Sequence, residues 1–280
     1  MYLTLTELSL YCVVENSVKE IMIGSVPYLN GKPLMRWFTD TSDGLASGVT
    51  VIEAVPSQLA GMLESGEIAA ALVSSVELFR APGLTYVPGI AVVAEGPVES
   101  VRLFSRVPLT EIRRVSLDAS SLTSVALLKI LLRELYDLTP NYISAKPDLD
   151  AMLADSDAAL LIGDNGYREY DSSLHILDLG EGWKRLTGLP FVYACWIGRP
   201  ESLTPALRES LLIARNWGKA NLELIARTEH ERLDESYERA RHYLTEIMRY
   251  DMGEREETAL HLFGDKVAEK ANLTAKVSTS

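Results

Sequence analysis

Residues 49–77, VTVIEAVPSQLAGMLESGEIAAALVSSVE, decide how this chain folds. VTVIEAV is a short apolar run rich in Val and Ile, and it predicts a buried strand. PSQLAGMLESGE predicts a helix, with Pro56 at its start, Ser57 as a polar N-terminal residue and Gly66 where the helix stops. AAALVSS then predicts another strand. Strand, helix, strand is the unit from which parallel α/β sheets are built.

The same alternation extends outward on both sides. Upstream, IMIGSV from Ile21 reads as a buried strand, and a Pro-containing turn leads into PLMRWF, a helix with Pro33 near its first turn. Downstream, VELFRAPG is a short helix and LTYVPGIAVVAEG a pair of strands. A second cycle begins near residue 100. SVRLFS and EIRRVSLDA are strands, SLTSVALLKILLRELY a strong helix, NYISA a strand, DLDAMLA a helix and DAALLIGD a strand. HILDLGEGWKRLTGLPFVYACWIG holds a strand, a loop and a returning strand. Residues 204–272 read as three helices, the first with Leu207, Leu211, Ala214 and Trp217 along one stripe.

The order α/β, α/β, α, with extended segments at the transitions, predicts a two-lobed α/β fold whose ligand sits in a cleft. Residues 101–105 and 191–197 are the expected hinge strands. Lobe 1 would comprise 21–100 plus 198–280, lobe 2 would comprise 101–197, and residues 1–20 would be an N-terminal extension. One doubly wound sheet with a helical appendage is the competing architecture.

Composition narrows the partners. The chain has 280 residues with 27 Lys and Arg against 39 Asp and Glu, a formal charge of -12. A field of that sign repels polyanions, so nucleic acid is not an expected partner. A small anion is still allowed, because backbone N–H groups can make a pocket locally positive. Cys12 and Cys195 form no CxxC pair and read as ordinary thiols of a reducing compartment. The apolar stretch in the first twenty residues has no preceding Lys or Arg, is broken by Glu7 and is followed by no Ala-x-Ala site. No later segment has the length of a membrane span. The expected location is cytoplasmic, with no membrane partner.

Three places share one design, in which a strand ends, small polar residues follow and a helix begins. They are Tyr28-Leu29-Asn30-Gly31-Lys32, Ser74-Ser75-Val76-Glu77, and Asp118 through Ser120, Ser121, Leu122, Thr123 and Ser124. Each offers N–H and hydroxyl or amide donors to a carboxylate or phosphate, and each equally satisfies a plain helix cap. Their position beyond strand ends, where α/β sheets bind ligands, favours an anion pocket. Lys32 is a candidate partner for a ligand carboxylate or an exposed helix-start lysine. Asp164, closing an apolar strand, is a candidate general base or hydroxyl-orienting group, or a turn residue bonded to its own backbone. Trp37, Trp183 and Trp196 are candidates for stacking on a ring or for core packing. The histidines, at 175, 230, 242 and 261, make no zinc helix, and no GxSxG, GxxxxGK[ST] or GxGxxG motif occurs. No metal, nucleotide or other cofactor is expected.

Taken together, these motifs resemble the chorismate dehydratase family of the futalosine route to menaquinone. The resemblance is carried by Gly24-Ser25-Val26-Pro27-Tyr28-Leu29-Asn30 with Lys32-Pro33-Leu34, by Pro56-Ser57-Gln58-Leu59 with Leu63 and Gly66, and by Ala71-Leu72-Val73-Ser74-Ser75-Val76-Glu77. It continues through Leu117-Asp118 with Ser120, Ser121 and Thr123 to Leu128, Leu161-Ile162-Gly163-Asp164, and Trp183 with Leu186-Thr187-Gly188-Leu189-Pro190-Phe191-Val192. Two positions depart: Gly31 stands where the family often has Thr, and Ser74 where it often has Pro. The related dihydroxynaphthoate synthase family is expected to carry a Pro-Asn-Asp-Thr turn and a catalytic His, and neither is present here.

The resemblance implies a type II periplasmic-binding-protein-like fold and a carbon–oxygen lyase (hydro-lyase) converting chorismate to 3-[(1-carboxyvinyl)oxy]benzoate and water. It implies Asn30, Ser75 and Asp164 as catalytic residues, with Tyr28, Lys32, Ser74, Ser120, Ser121, Thr123 and Ser124 binding substrate. The base is either Asp164 or the substrate's own enolpyruvyl carboxylate. A non-catalytic solute-binding protein for a small carboxylate is the alternative on the same fold.

Overall fold

The computed structural model describes residues 21–118, 122–168, 170–233 and 236–277, so the expected extension at 1–20 lies outside the described residues. Eleven described strands form two sheets. They are β1 (Ile21–Ser25), β2 (Val49–Glu53), β3 (Ala70–Ser74), β4 (Thr85–Ala94), β5 (Val101–Ser105), β6 (Arg114–Asp118), β7 (Asn141–Ala145), β8 (Ala158–Ile162), β9 (His175–Asp178), β10 (Phe191–Gly198) and β11 (Met248–Met252). The six-stranded sheet runs β11-β4-β10-β3-β1-β2 and the five-stranded sheet β7-β6-β8-β5-β9.

The two sheets share one plan. In each, three parallel strands take the order second, first, third (β2-β1-β3 and β7-β6-β8), and an antiparallel strand follows (β10 and β5). β3 and β8 are apolar along their length because a strand in a doubly covered sheet buries both faces. Helix Pro56–Ser65 lays Leu59 and Leu63 on the first sheet and ends at Gly66, whose left-handed φ of 75° returns its N–H to Leu63 and Met62.

Several expectations are corrected. The expected hinge strand of the second lobe, 191–197, is instead part of β10, paired on both edges inside the first sheet, between β3 and β4. Cys195, Trp196 and Ile197 are fully buried, and consecutive apolar residues of this kind suit a central strand covered on both faces. β5 lies within the second sheet. The chain therefore changes sheet in the segments 95–100 and 179–190, between the strands. LTYVPGIAVVAEG forms one ten-residue strand; Pro88 and the left-handed Gly89 (φ 82°) fall where its register with β10 shifts, between Tyr86 and Ala91, and the strand continues through them. The loop expected after β9 is a helix, Leu179–Thr187, started by the Asp178 side chain and stopped at Gly188. The C-terminal region holds helices Pro205–Ala220, Leu222–Glu229, Tyr237–His242 and Glu254–Val277, together with the edge strand β11.

Candidate active site between the two sheets

The turns after β1 and β8 meet where the two sheets approach each other. The chain leaves β1 through Tyr28 into a 3-10 turn, Leu29–Leu34, that carries Asn30. It leaves β8 into the short helix Gly163–Tyr167, with Asp164 in its first turn. Tyr28, Asn30, Gly163 and Asp164 line one cavity of about 10 Å3 together with Ser100, Tyr167 and Tyr243. That is room for about one water, whereas pockets that bind small organic ligands span roughly 300–1,000 Å3. Gly163 has φ 58°, and a Cβ built there would lie 3.3 Å from the Tyr28 ring. The two turns are thus in close contact, and admitting an organic ligand requires them to separate.

A second contact joins the other two anion-site candidates. The Val76 N–H donates to Thr123 Oγ1 at 3.0 Å, and Ser75 Oγ lies 3.5 Å from the same oxygen. Ser75 Oγ donates to the Val192 carbonyl at 2.7 Å. Ser75, Thr123 and Ser124 are all buried. The turn after β3 and the start of helix Leu122–Tyr136 therefore occupy each other's hydrogen-bonding groups.

The remaining candidates are placed elsewhere. Lys32 is buried and its ammonium pairs with Glu53, so the reading of it as an exposed lysine is corrected and its side chain is turned toward β2. Ser74 lines a separate groove of about 470 Å3, together with Arg80 and Arg199. Ser120 and Ser121 lie outside the described residues. Trp183 and Trp196 are fully buried and Trp37 nearly so, which makes them core residues. Cys12 is outside the described residues; Cys195 is a free buried thiol, pushed up to about 12 by desolvation.

Three cavity residues were missed in the sequence: Ser100, Tyr167 and Tyr243. Tyr243 Oη is 2.7 Å from Ser100 Oγ and accepts from Asn30 Nδ2 at 3.4 Å. Burial pushes its phenol well up, with the charge of Asp164 adding to the effect. Tyr167 packs on Tyr243 with ring centroids 4.9 Å apart, and its hydroxyl donates to the Arg239 carbonyl at 2.9 Å. Ser100 precedes β5 and Tyr243 lies in a charged helical stretch, so neither belongs to a strand–polar–helix motif. An amide, a carboxylate, a serine hydroxyl and a phenol converge here, a set able to donate hydrogen bonds to developing charge and to carry protons.

A two-lobed α/β architecture with its cavity between the lobes defines the class, the type II periplasmic-binding-protein-like fold. The aliphatic sulphonate-binding protein SsuA of Escherichia coli has it, with a TM-score of 0.63 at 14% identity over 90% of this chain and 88% of that one. A crystal structure of an Archaeoglobus fulgidus protein matches at TM-score 0.68 and 18% identity over 90% of this chain and 98% of its own. Within that class, a menaquinone biosynthesis family profile matches residues 21–269, and the chain belongs to this family. It is 33% identical over 267 residues to a chorismate dehydratase of Thermus thermophilus, covering 89% of this chain and 95% of that protein.

Proposed function

We propose that this chain is a chorismate dehydratase, converting chorismate to 3-[(1-carboxyvinyl)oxy]benzoate and water as a carbon–oxygen lyase (hydro-lyase) of the futalosine route to menaquinone. The observation that carries the reading is the 33% identity, maintained over nearly the whole length of both chains, with a protein of that activity. Among the described residues no helix is long and apolar enough to cross a membrane. The cytoplasm is the compartment that suits a biosynthetic enzyme with a soluble precursor.

The chemistry asks mainly for positioning. Chorismate carries two carboxylates, and the ring proton beside its enolpyruvyl ether is activated through the ring carboxylate. Its removal gives a dienolate, and loss of the neighbouring hydroxyl makes the ring aromatic. Fixing the reacting groups supplies up to roughly 7–11 kcal/mol, and donors aimed at the dienolate roughly 3–4 more. Asn30 is assigned to the developing charge. Ser75 and Thr123 are assigned to a substrate carboxylate, which would replace the contact they now make with each other. Asp164 or the enolpyruvyl carboxylate removes the proton.

Incubating the purified chain with chorismate tests this. Chorismate absorbance should fall while the aromatic enol ether appears by mass spectrometry. Chorismate that is bound in equilibrium dialysis and recovered unchanged would favour the solute-binding alternative.

A further inference from the structure

Tyr243 reaches the cavity from outside every motif in the sequence. It sits on a π-helical turn, Tyr243–Ile247, a local widening of the helix that recurs at functional sites. Its side chain is 3% exposed and lines the same cavity as Asn30 and Asp164. Stacking on Tyr167 holds the ring. Tyr167 is held in turn by the Arg239 guanidinium, 4.6 Å from its ring centroid.

The hydrogen-bond inventory around the phenol is informative. A phenol oxygen has one proton to give and two acceptor sites. The Asn30 amide nitrogen, 3.4 Å away, can only donate to it. Ser100 Oγ, at 2.7 Å, can donate or accept. With Ser100 donating, both acceptor sites are filled and the Tyr243 proton points to a third partner. Once that proton has gone, the phenolate keeps both hydrogen bonds, now charge-assisted and roughly twice as strong. The two hydrogen bonds thereby offset part of the burial that holds the phenol up, and they steady the phenolate once its proton has passed to an acceptor as basic as a departing hydroxide.

We infer that Tyr243 is the general acid of the dehydration, delivering its proton to the departing hydroxyl. The inference rests on the chorismate dehydratase reading, in which hydroxide is a poor leaving group without a proton. The base takes the proton from the carbon bearing the enolpyruvyl ether, and the electrons of that C–H bond become a ring double bond. The neighbouring C–O bond breaks with its pair going to oxygen. The Tyr243 proton passes to that oxygen, and water leaves. The phenolate, held by Ser100 and Asn30, then regains the proton from the base, directly if the base is Asp164 or through the released water otherwise. Nothing is oxidised or reduced.

The test uses the full chain and two substrates. Tyr243→Phe keeps the ring and removes the proton, so kcat on chorismate should fall about 10²-fold or more with KM little changed. The 4-fluoro analogue of chorismate has a leaving group of similar size that departs without a proton, and on it the variant should approach wild-type turnover. Equal losses on the two substrates, or unimpaired turnover of chorismate, would overturn the assignment. Ser100→Ala, which removes one donor to the phenolate, should lower kcat about tenfold on chorismate alone; it decides the matter if the Phe variant does not fold. Wild-type protein that leaves chorismate untouched overturns the dehydratase reading itself, and that result is visible before any variant is made.

Discussion

At Gly163 the backbone has φ 58°, and its Cα faces the Tyr28 ring from the opposite lobe. An alanine there would meet two penalties at once, the left-handed conformation at about 1–2 kcal/mol and a methyl group pressed against the ring. Gly163→Ala should lower the free energy of unfolding by about that amount and also raise KM, because the strain falls where the lobes touch. Chemical denaturation and steady-state kinetics check the two parts separately. Asn30→Ala should lower kcat by about 10²-fold with a smaller effect on KM, the signature of a donor used in the transition state. Ser75→Ala should raise KM at least as much as it lowers kcat, since a group holding a carboxylate acts in both states; wild-type kinetics would remove Ser75 from the site. Asn30 and Asp164 were readable because they follow strand ends, where ligands of α/β sheets bind. The partner of Lys32 was not readable. Glu53 lies beside it only because β2 pairs with β1 in the register that sets Glu53 opposite Ser25.

Among the elements, the two crossings between sheets are tied together by one carboxylate. Asp178 ends β9 and starts helix Leu179–Thr187, accepting from the N–H groups of Gly180 and Glu181. It also accepts from Val98 and Glu99 of the other crossing, at 3.0 and 2.7 Å. Glu99 is held at φ 60°, a conformation an ordinary residue adopts only under constraint. Asp178→Asn should cost about 1–3 kcal/mol, because an amide N–H₂ would face backbone donors. Burial holds the Asp178 carboxyl above its ordinary value of 3.8, outweighing the four donors. The folded protein therefore binds this proton more readily than the unfolded chain does. Stability from this group is fully present below the unfolded value and is lost as pH rises through the folded one. The advantage of wild type over Asp178→Asn in urea denaturation should accordingly narrow as pH rises from about 4; a widening gap would mean that the N–H donors dominate. The segment LGEGWKRLT, expected as a loop, forms a helix although it contains two glycines. Gly180 and Gly182 are required by packing, since a Cβ at Gly180 would lie 2.3 Å from the Gly96 carbonyl and one at Gly182 2.9 Å from Leu131.

For the molecule as a whole, the tightness of the cavity makes shape part of the mechanism. A space of about 10 Å3 admits no organic dianion, so the contacts Tyr28–Gly163 and Val76–Thr123 must open to admit the substrate. A ligand that touches both lobes favours the closed form by its difference in affinity. In the proposed reaction, closure would exclude water and strengthen each contact to the dienolate. Small-angle scattering should show a smaller radius of gyration with the benzoate product than without it. Unchanged dimensions at saturation would mean that the free protein is already shut in solution. Thr123→Val, which removes the cross-lobe acceptor for the Val76 N–H, should weaken that compaction and raise KM.

The alternation of apolar runs with capped helices determined by itself that the chain forms strand–helix–strand units with parallel strands, because strand period, Pro56 and Gly66 act through neighbours in sequence. The polar turns after β1 and β8 were fixed at the same level. Which strands share a sheet was decided only in three dimensions. β10 looked like a boundary segment, and only the burial of both its faces between β3 and β4 shows it to be central to the first sheet. The site was completed in the same way. Asn30 is local to a motif, but Tyr243, which meets its amide, and Ser100, which bonds the Tyr243 phenol, arrive from segments 213 and 70 residues away along the chain. Hydrogen bonds at that separation depend on how the lobes and the C-terminal helices pack, and no short-range pattern in the sequence encodes that packing.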